Sequence, residues 1–301
     1  MLAACAPVVA PRGLAEQTPA LETRYFVTRD GLRLPLREWD AERPKAVIVA
    51  LHGMSDYSEA FDLPGPYWAA HGITTFAYDQ RGFGAAPDPG LWGGSRAMRR
   101  DLSDFVDAVQ VRYPGLPVYA LGESMGGAVV LSALAGKDPP RVTGAILCAP
   151  AVWSRADMPV SYRLALWLSA HVTPWLHVSG EGLHIWPSDN IAMLRKLSRD
   201  PLYQHSARAD QVYGLVNLMD AARAAPKHLA DPPPILFLYG AHDQVIPAKP
   251  YKEVIAALGN NAEVHRYPNG YHMLLRDLDA KTVWGDIVAW IDKTDRALPP
   301  A

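Results

Sequence analysis

Gly122-Glu123-Ser124-Met125-Gly126, inside the stretch LGESMGG, is the first place where residue types and spacing point to chemistry. A serine hydroxyl is a weak nucleophile at neutral pH. It needs a base within hydrogen-bond reach and a third group that fixes the base. The chain supplies both later, acid before base: Asp243 in ILFLYGAHD and His272 in PNGYHMLL. The tetrahedral oxyanion formed in acyl transfer needs two backbone N–H donors, one from the residue after the nucleophile and one from the loop after an early strand. Met125 and, in LHGMS, Met54 occupy those places.

These residues must be positioned by elements readable from patterning. ETRYFVTRDGLRLPLREWD reads as two alternating strands around Asp30-Gly31, a dipeptide suited to a tight hairpin turn. AVIVALHG is a short, nearly all-apolar run ending in glycine, as expected of a strand buried on both faces of a parallel sheet. ITTFAYDQRG, PVYALGES, VTGAILCAP, PILFLYGAHD and AEVHRYP repeat the pattern, and SRAMRRDLSDFVDAVQVRYPG is the clearest amphipathic helix between them. Alternating strands and helices predict a mostly parallel central sheet flanked by helices. Ser124 then falls between the strand PVYAL and the helix MGGAVVLSALAG, and Asp243 and His272 fall at carboxyl ends of strands, where such sheets place their sites.

The rivals do less well. Asp79 follows too early a strand, Asp88 sits in a Pro-rich loop, and Asp277 opens the stretch after His272. Among the histidines, His265 lies within a strand, His242 adjoins the acid but points elsewhere, and His171, His177, His184 and His205 fall in the long segment after VTGAILCAP. His52 is read as bracing the loop that carries Met54.

Residues 22–150 and 232–301 make one α/β core. Residues 151–231, too long for a plain crossover, read as an inserted helical cap, and residues 1–21 as a tail or tether. The cap contains Trp153, Trp167, Trp175 and Trp186 and the apolar stretch YRLALWLSAHVTPWLHV. Core packing is the simplest role for each tryptophan; as a group they favour an apolar substrate and contact with a lipid surface.

Twenty-nine Lys plus Arg against 31 Asp plus Glu, with no long run of one sign, gives no electrostatic footprint for nucleic acid. No His/Asp/Glu cluster has metal-ligand spacing, and RGFG and WGG lack the context of a dinucleotide turn, so neither metal nor cofactor is expected. Leu2-Ala3-Ala4-Cys5 has the form of a bacterial lipobox, but the charged start and apolar run of a signal peptide do not precede it. Two readings stand: a lipoprotein anchored through Cys5 whose leader has been removed, or a chance match in a cytoplasmic protein.

With LHGMS, DQRGFG, GESMGG, GAHDQVIP and GYHMLL in order, residues 22–295 resemble the monoacylglycerol lipase and lysophospholipase-like group of α/β hydrolases. The resemblance implies Ser124, Asp243 and His272 as a catalytic triad, Met54 and Met125 as oxyanion hole, a cap that shapes an acyl pocket, and a small acyl ester as substrate. Asp200-Pro201-Leu202 matches a segment common in that family's cap. The loop MSDYSEAF departs from it, because the family often shows Glu-His-Ser and an aromatic there; Ser58 and Phe61 look retained. An acyltransferase on the same triad and a silent ligand-binding member of the fold are the alternatives. A serine at the turn excludes the epoxide hydrolases and haloalkane dehalogenases, which need a carboxylate nucleophile.

Overall fold

The computed structural model of the chain describes residues 6–13, 16–180, 182 and 184–297, so Cys5 lies outside the described residues. An antiparallel edge comes first: β1 (Ala20–Glu22), β2 (Tyr25–Val27) and β3 (Arg33–Trp39). Gly31, at φ 84°, turns the β2–β3 hairpin. β4 (Ala46–Leu51) and β5 (Ile73–Tyr78), joined through α1 (Pro64–Ala70), begin the parallel part. α2 (Ser95–Arg112) leads to β6 (Val118–Glu123), and α3 (Met125–Leu134) to β7 (Gly144–Cys148).

Between β7 and the next sheet strand lie α4 (Val160–Val172), β8 (His177–Val178), α5 (Ile191–Leu197), β9 (Ala207–Arg208) and α6 (Ala209–Ala224). β10 (Ile235–Gly240), α7 (Ala248–Leu258), β11 (Ala262–Tyr267) and α8 (Ala280–Arg296) close the chain.

The nine-stranded sheet runs β1-β2-β3-β5-β4-β6-β7-β10-β11 and is parallel from β5 to β11. Neighbouring β4 and β6 send the chain to opposite sides, so the order reverses at their carboxyl ends, where open α/β sheets form a crevice. Period-two alternation sorts the strands' side chains into two cores. Val47, Val49 and Leu51 face α2, α3, α6 and α7, while Ala46, Ile48 and Ala50 face α1 and α8 with Trp68, Trp284 and Trp290.

Two features depart from simple patterning. β1 begins inside the stretch read as tail, and three of the described residues before it are tied to the body. The Val8 N–H donates to Asp210, Val9 bridges to Trp92, and the Gly13 N–H donates to Asp30. Within residues 151–231, α4 buries only Ala170, whereas α6 packs on α3 with Val216, Leu218, Met219 and Ala222 in the main core.

The hairpin is fastened to α2 by ions. Arg81 grips Asp101 and Asp30 with two forks of 2.6–2.8 Å, and its own side chain is 5% exposed. Burial pushes the Asp101 carboxyl up to about 6 against the pull of Arg81. Burial pushes Asp30 up too, but hydrogen bonds from Arg81 and Thr28 hold it at about 2. Removing the guanidinium strands two carboxylates, and breaking a buried pair in this way costs ~3–5 kcal/mol. Arg81→Met should therefore lower the unfolding free energy by about that amount in urea titrations; a loss below ~1 kcal/mol would contradict a clamping role.

Candidate active site

Ser124 stands at the turn from β6 into α3 with φ 53° and ψ −114°, a left-handed conformation unusual for a side-chain-bearing residue. Small neighbours make the turn feasible. A Cβ on Gly122 would come within 2.3 Å of the Gly126 carbonyl carbon, and one on Gly126 within 2.1 Å of the Leu51 carbonyl oxygen. The Ser124 N–H donates to Cys148 O (2.9 Å), and its carbonyl accepts from Ala128 and Ala151 (3.1 and 2.8 Å), which pins the turn to the end of β7.

Ser124 Oγ lies 2.9 Å from His272 Nε2, and His272 Nδ1 lies 2.8 Å from Asp243 Oδ2. Asp243 follows β10, and His272 is in the loop after β11. The Nδ1–H donates to the carboxylate, so Nε2 is left with its lone pair toward the serine hydroxyl. Asp243 Oδ1 also accepts the amides of Val245 and Ile246 (2.8 and 2.9 Å), and Oδ2 accepts the Tyr251 hydroxyl (2.8 Å). Burial pushes the Asp243 pKa up, but the His272 charge and these donors outweigh it and hold the carboxyl below its ordinary value. Burial depresses His272, yet the Asp243 charge and hydrogen bond, with smaller contributions from Glu123 and Asp277, raise it above the ordinary histidine value.

The loop after β4 passes directly beside the serine, since a Cβ on Gly53 would lie 3.2 Å from Ser124 Cβ. Met54 follows Gly53. Met125 opens α3, so its N–H belongs to the first turn, whose donors have no intrahelical acceptor. The Met125 side chain is buried in the main core and that of Met54 packs against it. His52 braces this loop. Its Nε2 accepts the Gln80 N–H at 2.9 Å, its Nδ1 donates to Gly53 O at 2.8 Å, and Gln80 Nε2 donates to His52 O at 2.8 Å. Burial lowers its pKa, consistent with a neutral imidazole used for structure.

The rival residues are engaged elsewhere. Asp79 accepts the amides of Ser58 and Ala85, and Asp277 accepts Ser188 Oγ and the Tyr271 N–H. His265 lies between Glu263 and Asp286, and His242 stacks on Tyr271. Core packing, expected for each cap tryptophan, holds for Trp153, which packs against the main core; Trp167, Trp175 and Trp186 are 49–55% exposed because α4 and its neighbours have no layer over them. Patterning also passed over Tyr251, which looks like one more apolar-face residue of α7. It passed over a buried ionic group beside Ser124 too: Asp56, Glu123 and Arg276. The three are distant in sequence, and no motif joins them.

Among the described residues no group of three or more His, Cys, Asp or Glu side chains could hold a metal ion. None of the described helices is long and apolar enough to cross a membrane.

The sheet order, the strand–serine–helix turn and the placement of the site at the switch between β4 and β6 define an α/β hydrolase. A family model described as "Serine aminopeptidase, S33" matches residues 42–279, and the chain belongs to that family. It is 27% identical over 297 residues to the monoglyceride lipase of Homo sapiens, covering 94% of both chains. It is 26% identical over 281 residues to the monoacylglycerol lipase of Mycolicibacterium smegmatis, covering 88% of this chain and 95% of that one. Among solved structures, a soluble variant of the Saccharomyces cerevisiae monoglyceride lipase, in complex with a substrate analog, superposes with a TM-score of 0.78 at 22% identity. That match covers 95% of this chain and 99% of the other.

The electrostatic account is checked by NMR titration of the imidazole. His272 should titrate above the ordinary histidine value of about 6.5 and at a lower pH in Asp243→Asn, where the largest charge opposing burial is gone. An unchanged titration would remove Asp243 as the cause.

Proposed function

We propose that the chain is a serine carboxylic-ester hydrolase acting on apolar acyl esters of the monoacylglycerol or lysophospholipid kind. Ser124 Oγ attacks the ester carbonyl carbon while His272 Nε2 takes its proton, and Asp243 fixes the tautomer and stabilises the imidazolium. The backbone N–H groups of Met54 and Met125 meet the oxyanion. His272 then protonates the departing alcohol, the acyl group stays on Ser124, and water deprotonated by the same imidazole releases the acid.

The observation that carries this reading is the unbroken chain of hydrogen bonds from Ser124 through His272 to Asp243, 2.9 and 2.8 Å long. An apolar substrate is supported by the composition of residues 151–231, proposed as the cap, and by the names of the relatives, which are lipases of monoglycerides. On α4, Val160, Leu164, Trp167, Leu168 and Val172 are 45–74% exposed, which supports contact of this segment with a lipid surface.

A fluorophosphonate probe should label Ser124. Ser124→Ala should abolish labelling and p-nitrophenyl ester cleavage, and Asp243→Asn should reduce kcat by about 10⁴-fold; full esterase activity in Ser124→Ala sinks the assignment. A panel of monoacylglycerols, lysophospholipids, short esters and an aminoacyl anilide identifies the class, and preference for the anilide would overturn the ester reading. Because the base must be neutral to accept the serine proton, kcat/KM should fall as pH drops through the His272 pKa. That acid limb should lie above the ordinary histidine value.

A further inference from the structure

The mechanism above makes no use of three ionisable side chains buried beside it. Asp56, in the loop just past Met54, is 2% exposed. Glu123, the residue before Ser124, is also 2% exposed, and Arg276, one turn past His272, is 5% exposed. A single nitrogen holds them together: Arg276 Nη2 donates to Asp56 Oδ2 and, at 3.2 Å, to Glu123 Oε2. Arg276 Nε and Nη1 and Glu123 Oε1 make no hydrogen bond among the described residues.

As a source of stability the arrangement is poor. Three ions are desolvated, two carry the same sign, and several polar atoms stay unpaired, whereas apolar side chains of similar volume would often do as well. Its distinctive property is where its members sit. Asp56 belongs to the segment that carries the Met54 N–H, Glu123 to the turn that carries Ser124, and Arg276 to the loop that carries His272. Further contacts fix the arginine's backbone: its N–H donates to Met273 O (2.8 Å) and its carbonyl accepts Asn190 Nδ2 (2.9 Å).

We infer that Arg276 is a positioning residue, whose guanidinium fastens the oxyanion loop and the base loop to the nucleophile turn and so sets the distance from His272 Nε2 to Ser124 Oγ. The inference rests on the roles proposed for Ser124, His272 and Met54. Without the guanidinium, Asp56 and Glu123 repel each other across the join, and the loops that must stay in register are driven apart. A lysine keeps the positive charge on one nitrogen but on a different stem, so it should restore the join only in part.

Glu123 gives the clamp a second signature. The charged groups that act on His272 include Asp243 from the β10 loop, Glu123 from the turn and Asp277 from its own loop, and Arg276 bonds both Glu123 and Asp56. Burial raises the Glu123 pKa and Arg276 opposes it, so removing the Glu123 charge removes one of the groups that hold the imidazolium.

The test uses the full chain with a p-nitrophenyl ester, thermal melts and pH profiles. In Arg276→Met, kcat should fall about 100-fold with KM within about threefold, the size of effect a displacement of about 1 Å produces. Arg276→Lys should recover about tenfold of that loss. In Glu123→Gln the acid limb of kcat/KM should move to lower pH while the melt stays close to that of the parent.

A folded Arg276→Met with kcat within threefold of the parent overturns the inference, as does an acid limb that Glu123→Gln leaves in place. If Arg276→Met does not fold, the triple variant Asp56→Asn/Glu123→Gln/Arg276→Met, which leaves no stranded buried ion, is judged by the same kcat criterion. If neither folds, Arg276→Lys is judged instead, and a kcat within threefold of the parent overturns the inference. Esterase activity in Ser124→Ala would instead remove the proposed function on which the inference stands, so the two failures are distinguishable.

Discussion

Gly126 lies so close to the Leu51 carbonyl oxygen that any side chain there would displace β4 or α3, and this contact governs the geometry around Ser124. It lets α3 leave β6 in a tight reversal and forces Ser124 into a left-handed backbone, a strain of ~1–3 kcal/mol. The strain is held because every residue of α3 is buried. Burying a side chain such as Val129, Val130 or Leu131 contributes ~1.5–3 kcal/mol, so those three alone outweigh the strained residue. The same approach brings the loop after β4 against Ser124, so the serine and the loop beside it are placed by one packing event.

A second constraint decides which carboxylate partners the imidazole. Both Asp243 and Asp277 are buried in the neighbourhood of His272, and burial alone raises both. Asp243 receives donors from Val245, Ile246, Tyr251 and His272. Hydrogen bonds to a charged group contribute ~1.5–3 kcal/mol each, and this carboxyl is held below its ordinary value. Among the described residues Asp277 receives Ser188 Oγ and the Tyr271 N–H and is pushed up to about 6. The difference between the two acids thus follows from the His272 charge beside Asp243 and from the larger number of donors that reach it.

The parallel strands were readable because a strand buried on both faces leaves an almost uninterrupted apolar run, as in AVIVAL and ILFLYG. Ser124, Asp243 and His272 were readable because each sits at a strand end inside a short local signal. β1 escaped notice, since only its last residue, Glu22, falls inside the stretch that reads as alternating. α4 misled in another way: a helix apolar nearly all round reads as buried, yet it leaves Trp167 and Leu168 about half exposed. Asp56, Glu123 and Arg276 were illegible for a third reason, because the meaning of each charge depends on partners that only the tertiary fold brings near.

That third kind of residue shows how the fold can hold Ser124 and His272 in place independently of α4. The loop that carries His272 is secured toward the sheet by Asp243 and Glu123, and toward the segment after α4 by Met273 N–H to Pro187 O, Ser188 to Asp277 and Asn190 to Arg276. α4 shares none of these bonds and buries only Ala170. Regions with few buried contacts open at lower free-energy cost than the cores they cover. Replacement or movement of α4 would therefore leave the distance between Ser124 and His272 undisturbed, whereas a change at residues 187–190 would reach His272 directly.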